Sequence, residues 1–201
     1  MDSRVRIIGG RWKRMLLPVQ ALQGLRPTPD RVREALFNWL GQDLTGWDCL
    51  DLFAGTGVLG FEAASRGAAR VTLIERDPKL ARSLEIVKAR LAAEMVAVMR
   101  ADALAWLKST PVRPHDLVLL DPPYHEGWLE RLLPLLQTRL APEGRVYAEC
   151  EFKLTGEWLG YAGAGGLAVL RAARAGQVHY HLLGPRHPLL AAPGQAPTGE
   201  F

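Results

Sequence analysis

Cysteine is nearly absent from this 201-residue chain. Cys49 and Cys150 stand far apart, in neither a CxxC nor a metal-ligand spacing, which excludes a disulfide scaffold and a cysteine-built metal site. Both read as small buried hydrophobes, and neither has a base positioned beside it in the sequence, which disfavours covalent cysteine chemistry. Long hydrophobic runs are missing too. No apolar stretch approaches the ~18 residues of a membrane-spanning helix, and the opening MDSRVRIIGGRWKR has no apolar segment of the signal-peptide kind. These absences predict a cytoplasmic protein that engages no membrane. No internal repeat is present.

What remains is a globular composition, 48% hydrophobic and 23% charged, able to bury a core and remote from the signature of disorder. The length suits one domain and leaves no room for a second; a monomer is expected. Charge is distributed unevenly. The first forty residues carry Arg4, Arg6, Arg11, Lys13, Arg14, Arg26, Arg31 and Arg33 against Asp2, Asp30 and Glu34, a local excess of +5 within a formal net charge of +4. A positive field gathered at one end favours a polyanion, because phosphate contacts supply most sequence-independent affinity. Nucleic acid is the natural partner, with Arg4, Arg6, Arg11, Lys13 and Arg14 as the contact residues. A basic terminus kept for solubility is the alternative, against which Trp12 and the Gly9-Gly10 pair suggest a folded turn.

Short strands around 5–8 and 14–17, joined through Gly9-Gly10, predict a small hairpin in an extension over 1–25. A main domain over 26–184 and a Pro/Gly-rich tail over 185–201, loosely ordered if at all, complete the chain. In LRPTPD, Thr28 is placed to cap a helix with Pro29 at its first position. Val32, Ala35, Leu36, Trp39 and Leu40 then form the apolar stripe, with Arg31, Arg33 and Glu34 pointing elsewhere. Strands are expected near 48–53, 70–75, 96–100 and 116–121, and helices near 58–66, 78–92, 102–108 and 127–138. Such alternation means α/β with a mostly parallel sheet. After Gly144 the run RVYAECEF reads as a long strand. A Gly-rich stretch (Gly160, Gly163, Gly165, Gly166) and two further strands near 167–173 and 177–183 follow; with no full helix between them, those two form an antiparallel hairpin at the sheet edge.

The segment LDLFAGTGVLG sets Gly55, Gly57 and Gly60 in G-x-G-x-x-G spacing between a strand and a helix. That pattern lets backbone approach a ligand at the strand's carboxyl end, and nicotinamide-dependent oxidoreductases share it. Glu75, twenty residues past Gly55, is placed to accept ribose hydroxyls in either case. Asp51 suits an ammonium group better than a pyrophosphate. Asp102 is placed to accept from an exocyclic amine, with the Ala103 amide serving a ring nitrogen; Asp102 is equally placed to cap the following helix.

At the end of the fourth strand stand Asp121, Pro122, Pro123 and Tyr124. The exocyclic amine of a purine is a poor nucleophile because its lone pair is delocalised. Acceptors aimed at its hydrogens, here the Asp121 carboxylate and the Pro122 carbonyl, expose that lone pair; two prolines fix the carbonyl, and Tyr124 offers a ring for stacking. His125 is near enough to line a pocket mouth and Trp128 reads as core. His179 and His181 share a strand face, without a third ligand to suggest a metal.

DLFAGTGVLGFEAASRGA, VTLIERD, RADAL and LLDPPY, in that order, resemble the motifs of class I S-adenosylmethionine-dependent amino-methyltransferases. With RIIGGRWKR and LRPTPDRVREALFNWL the chain is similar to the RsmD family, which methylates the N2 of a guanine in bacterial 16S ribosomal RNA. The likeness covers residues 4–150. It implies a Rossmann-like class I methyltransferase fold and cofactor contacts at Asp51, Phe53, Gly55, Gly57, Glu75, Asp102 and Ala103, with Arg26 and Thr28 closing over the cofactor. It also implies Asp121 to Tyr124 as the receiver of the base, and 16S rRNA, within the small subunit or its assembly intermediate, as partner. Methylation of adenine N6 or of a protein glutamine, and a non-catalytic RNA-binding assembly factor, stand as alternatives.

Overall fold

The computed structural model describes residues 4–18 and 28–186. Arg26 lies outside them, as does the tail from 187 on, so the expectations placed there meet no structural description. The main domain runs β3 (Asp48–Asp51), α2 (Val58–Ser65), β4 (Arg70–Glu75), α3 (Pro78–Leu91), β5 (Val96–Arg100), α4 (Ala103–Ser109), β6 (His115–Leu120), α5 (Trp128–Leu136), β7 (Leu140–Cys150), α6 (Gly156–Tyr161), β8 (Leu167–Ala175) and β9 (Val178–Pro185). It is preceded by β1 (Arg4–Arg6), β2 (Leu16–Pro18) and α1 (Asp30–Leu40). The seven strands of the main sheet lie in the order β5-β4-β3-β6-β7-β9-β8. The pairs from β5 across to β7 are parallel, whereas β9 runs antiparallel to both β7 and β8. The chain therefore leaves β3 in one direction, through β4 and β5, and returns to its other side at β6. Ligands in open α/β sheets bind where strand order reverses in this way.

Side chains alternate between two cores. Cys49, Leu73, Leu117 and Tyr147 pack with Phe37, Phe61 and Leu84 on one face of the sheet. Leu50, Ile74, Val118 and Val146 pack with Leu107, Leu132 and Leu136 on the other. Burial on both faces explains the unbroken apolar runs of the parallel strands. Helix α3 shows how closely local sequence fixes an element. The Asp77 carboxylate accepts from the amides of Lys79 and Leu80, Pro78 occupies the first turn, and Leu80, Leu84, Val87 and Leu91 are buried.

Four expectations are corrected. The β1–β2 strands are shorter than the sequence suggests, because the Ile8 and Gly9 amides turn away from the hairpin toward Glu62. Helix α1 starts at Asp30 with Pro29 in the cap position and no side-chain cap bond; the Thr28 hydroxyl is used elsewhere. Arg33, expected to point outward, is fully buried. A short helix outside the sequence reading, α6, is capped by Thr155 ahead of β8. Strand β7 also begins earlier than expected, although its pairing with β6 is interrupted between Leu140 and Arg145.

The extension is fastened to α2 by charge. Glu62 has no solvent exposure, and its carboxylate accepts the amides of Ile8 and Gly9 at 2.7 Å each. Arg66 pairs with it at 2.8 Å and Arg33 at 3.5 Å. Arg33 also donates to the Arg6 carbonyl at 2.8 Å and pairs with Asp30 at 2.6 Å. One turn along α2, the Ser65 hydroxyl accepts from the Trp12 amide at 2.8 Å and donates to the Gly9 carbonyl at 2.6 Å. A buried charge is tolerated only when paired and hydrogen-bonded in this manner.

Candidate active site

The glycine loop leaves β3 tied to both neighbouring strands: the Leu52 amide donates to the Leu119 carbonyl and the Ala54 amide to the Ile74 carbonyl. Gly57, with φ of +76°, turns the chain into α2, a conformation that side chains rarely adopt. Gly60 faces β4 so closely that a Cβ there would meet Leu73 at 2.2 Å. The loop's shape is set by Glu75, whose two oxygens accept the Gly55 and Asp77 amides at 2.8 Å each. Its remaining lone pairs are the ones a ribose would have to use. Asp102, at the β5 end, accepts the Ala105 amide at 2.9 Å and so caps α4 through Oδ1. Ala103 opens that helix and is buried.

Asp51 ends β3 with 1% exposure, and its Oδ2 has no hydrogen-bond partner among the described residues. Burial pushes its pKa up to about 7 against the backbone hydrogen bond from Phe53. An orphaned buried acceptor is costly, and a ligand that brings an ammonium donor satisfies it. The residues on this side thus fit the amino-acid end of S-adenosylmethionine at Asp51 and its nucleoside end along Glu75 and Asp102. Phe53 packs edge-on against Trp128, centroids 5.1 Å apart, which fixes the rim between this side and the next.

The other side of the crevice is built by β6 and β7. Asp121 is half-buried directly after β6, and its Oδ2 accepts from the Thr28 hydroxyl at 3.2 Å. The β6–β7 register sets Leu120 opposite Ala148 and so brings Asp121 beside Glu149. Glu149 is 2% exposed and accepts from the Tyr147 hydroxyl at 2.7 Å. Burial raises both carboxyls, and the charge of Asp121 raises Glu149 further. Tyr124 is part-exposed beside them, its ring edge-on to His125 with centroids 6.4 Å apart. A cavity of about 310 Å³ lies alongside, lined in part by Pro122, Pro123, His125, Trp128 and Phe152.

The predicted cofactor residues Asp51, Phe53, Gly55, Gly57, Glu75, Asp102 and Ala103 therefore cluster at the carboxyl ends of β3, β4 and β5, and Asp121 to Tyr124 at the end of β6. Thr28 sits on the acceptor side, against Asp121. Arg4, Arg11, Lys13 and Arg14 are exposed on the hairpin, while Arg6 is paired with Asp30 at 2.8 Å. His181 is buried, accepts the Leu154 amide at 3.0 Å through Nε2, and is pushed by burial down to about 4, so it serves as a neutral structural acceptor. Sequence reading missed Glu62, inside a run taken as apolar helix, and Glu149, inside a strand. An acid within YAECEF was the only available signal.

A glycine loop at the switch point, acids at the ends of β3, β4 and β5, and DPPY at the end of β6 define a class I methyltransferase of the kind that binds S-adenosylmethionine. Comparison with known proteins narrows the class. A family model described as Conserved hypothetical protein 95 matches residues 5–184. The chain is 46% identical over 154 residues to Ribosomal RNA small subunit methyltransferase D of Escherichia coli strain K12, covering 75% of this chain and 76% of that protein. The protein of that name from Haemophilus influenzae is 43% identical, covering 74% of this chain and 80% of its own. The solved structure of Escherichia coli yhhF is similar with a TM-score of 0.79 at 41% identity, covering 91% of this chain and 98% of that one. The chain belongs to the family of small-subunit ribosomal RNA methyltransferase D.

Proposed function

We propose that this protein transfers a methyl group from S-adenosylmethionine to the exocyclic N2 of a guanine in 16S ribosomal RNA, acting as a cytoplasmic monomer. The observation that carries the reading is the ionisable Asp121 at the end of β6, across the β3–β6 pair from the orphaned Asp51. When bound, S-adenosylmethionine supplies an already activated methyl sulfonium. The chain's own residues need only position and desolvate the acceptor.

Asp121 accepts from the amine, and Pro122 and Pro123 hold the neighbouring carbonyl still. A carboxylate only accepts, and guanine alone among the bases presents two adjacent donors, N1–H and N2–H, on its pairing edge. Adenine places an acceptor beside its amine. This favours guanine over adenine N6. A paired base cannot reach the crevice, so the target is extruded or lies in a loop, where Tyr124 stacks on it. Arg4, Arg11, Lys13 and Arg14 grip the flanking backbone.

The test is to incubate the protein with labelled S-adenosylmethionine and either unmodified small subunits or protein-free RNA, then digest and identify the methylated nucleoside. N2-methylguanosine is expected. Methylated adenosine, or label in protein, would refute the assignment.

A further inference from the structure

On the far side of the double proline lies a space that the transfer reaction, as described, does not use. The cavity of about 310 Å³ is walled by Pro122, Pro123, Trp128 and Phe152, with the carboxyl groups of Glu130 and Glu151 also lining it. Among the described residues, Asp121 and Tyr124 do not line it, so it is separate from the place assigned to the target base and shares only the proline wall with it. It also belongs to the other face of the sheet. The hairpin residues Val5, Ile7, Trp12 and Leu17 pack into one core, whereas Trp128, Leu129 and Cys150 of the cavity pack into the second. An RNA strand gripped by the hairpin and laid across the carboxyl ends of the strands reaches Asp121 first and this cavity next.

The lining states what can enter. Phe152 is 37% exposed, its ring tilted against Trp158 with centroids 5.2 Å apart, so part of an aromatic face stays open. Glu151 holds the mouth through one oxygen: its Oε1 accepts the His125 amide and lies 3.1 Å from the His125 ring Nδ1. His125 adopts a left-handed φ of +62° in making both contacts, a conformation that persists in a side-chain-bearing residue only where its surroundings hold it. Glu151 Oε2 has no hydrogen-bond partner among the described residues. Two carboxyl groups disfavour a phosphate and accept from N–H donors, while aromatic and proline walls take the flat face of a ring. The volume stands at the lower end of the ~300–1,000 Å³ usual for ligand sites and suits a single base.

We infer that this cavity takes an unpaired, amine-bearing base adjacent to the target in the RNA, with its face on Phe152 and its amino group on Glu151 Oε2. The inference rests on the RNA reading given above. Splayed bases in RNA are recognised by this combination of aromatic stacking and hydrogen bonding along the pairing edge. Uracil fits worst, because its one N–H on that edge stands between two carbonyls. Phe152 and Glu151 thus set substrate specificity without touching the reacting atoms.

The experiment measures KM for unmodified small subunits and affinity for protein-free 16S RNA, with cofactor affinity in parallel, in wild type, Phe152→Ala, Phe152→Tyr and Glu151→Gln. Phe152→Ala should raise KM and weaken RNA binding by about tenfold or more, the scale of one lost base stack, with cofactor affinity unchanged. Phe152→Tyr keeps a stacking ring and should restore both. Subunits reconstituted with uridine in turn at each neighbour of the methylated guanine then test the edge contact. For one of the two neighbours, uridine should raise the wild-type KM. Glu151→Gln keeps a carbonyl for the His125 amide and turns a donor toward the base, so it should lose that preference.

Wild-type KM and RNA affinity in Phe152→Ala would overturn the inference, as would a wild type indifferent to uridine at both neighbours. Losses on small subunits with none on protein-free RNA would give the cavity to a ribosomal protein and overturn it too. If Phe152→Ala does not fold, the neighbour preference of wild type against Glu151→Gln decides. Failure of the underlying reading looks different: the wild type itself would then form no N2-methylguanosine.

Discussion

The two sides of the crevice are both lined with carboxyl groups, yet they are held in different ways. On the β3–β5 side the acids are fastened by backbone amides close in sequence or at the next strand end: Glu75 by Gly55 and Asp77, Asp102 by Ala105. On the β6–β7 side they are fastened by side-chain hydroxyls, Asp121 by Thr28 and Glu149 by Tyr147. Amides cannot titrate or rotate away, so the first arrangement makes a rigid receptor for a ligand of fixed shape. Hydroxyls can reverse their donor direction, so the second can respond to the protonation of what it touches. Binding and turnover should accordingly separate between the two sides.

The sharpest way to break that division is Asp121→Ala. It should reduce turnover by about 10²–10³-fold, the scale for removing one preorganised polar contact to a reacting group, while calorimetry shows cofactor affinity little changed. Equal losses in both would abolish the distinction. Glu75→Ala should do the reverse, weakening cofactor binding by roughly tenfold or more because two loop amides lose their acceptor, at about 1–3 kcal/mol for each one left unpaired. Turnover at saturating cofactor should change less.

Asp51 sharpens the comparison through pH. With its carboxyl raised to about 7, a cationic ligand selects the ionised form, so affinity should rise as pH approaches 7 and level off above it. Calorimetry in buffers of different ionisation enthalpy should detect the released proton, and Asp51→Asn should flatten the curve. The sign for the free protein is opposite. The folded state holds this proton after the unfolded chain has lost it, so stability without ligand should fall as pH rises from the ordinary carboxylate range to about 7.

Smaller effects are expected on RNA binding and on folding stability. Replacing Arg11, Lys13 and Arg14 together by Ala should weaken RNA binding and reduce the salt slope by about 0.7 for each phosphate that is no longer neutralised; an unchanged slope removes the hairpin from the interface. Asp102→Ala should cost about 1 kcal/mol in thermal or denaturant unfolding through loss of the α4 cap.

Much of this was legible in the sequence for a physical reason. Strand period, the α3 stripe, the Asp77 cap and the glycine turn are determined within a few residues, and β3, β4, β5 and β6 fall within a residue or two of their expected bounds. The cofactor side follows, since its acids stand at fixed distances from strand ends. The acceptor side was legible only at DPPY. Thr28 meets Asp121 across 93 positions of sequence, Ile8 meets Glu62 across 54 and Arg33 meets Glu62 across 29. No local pattern distinguishes such partners from solvated charges. Arg33 looks like any helix-surface arginine until Glu62 is placed beneath it.

That buried acid also has a mechanical consequence. Ile8 and Gly9 close over Glu62, which stands five residues after Gly57 on the helix leading out of the glycine loop. Pulling the hairpin away would strip Glu62 of two backbone donors and leave its ion pairs with Arg66 and Arg33 open to water at the root of that helix, and amide exchange there should accelerate along with exchange in the hairpin. The hairpin and the floor of the crevice are one cooperative unit, and a pull on the first is felt beneath the glycine loop.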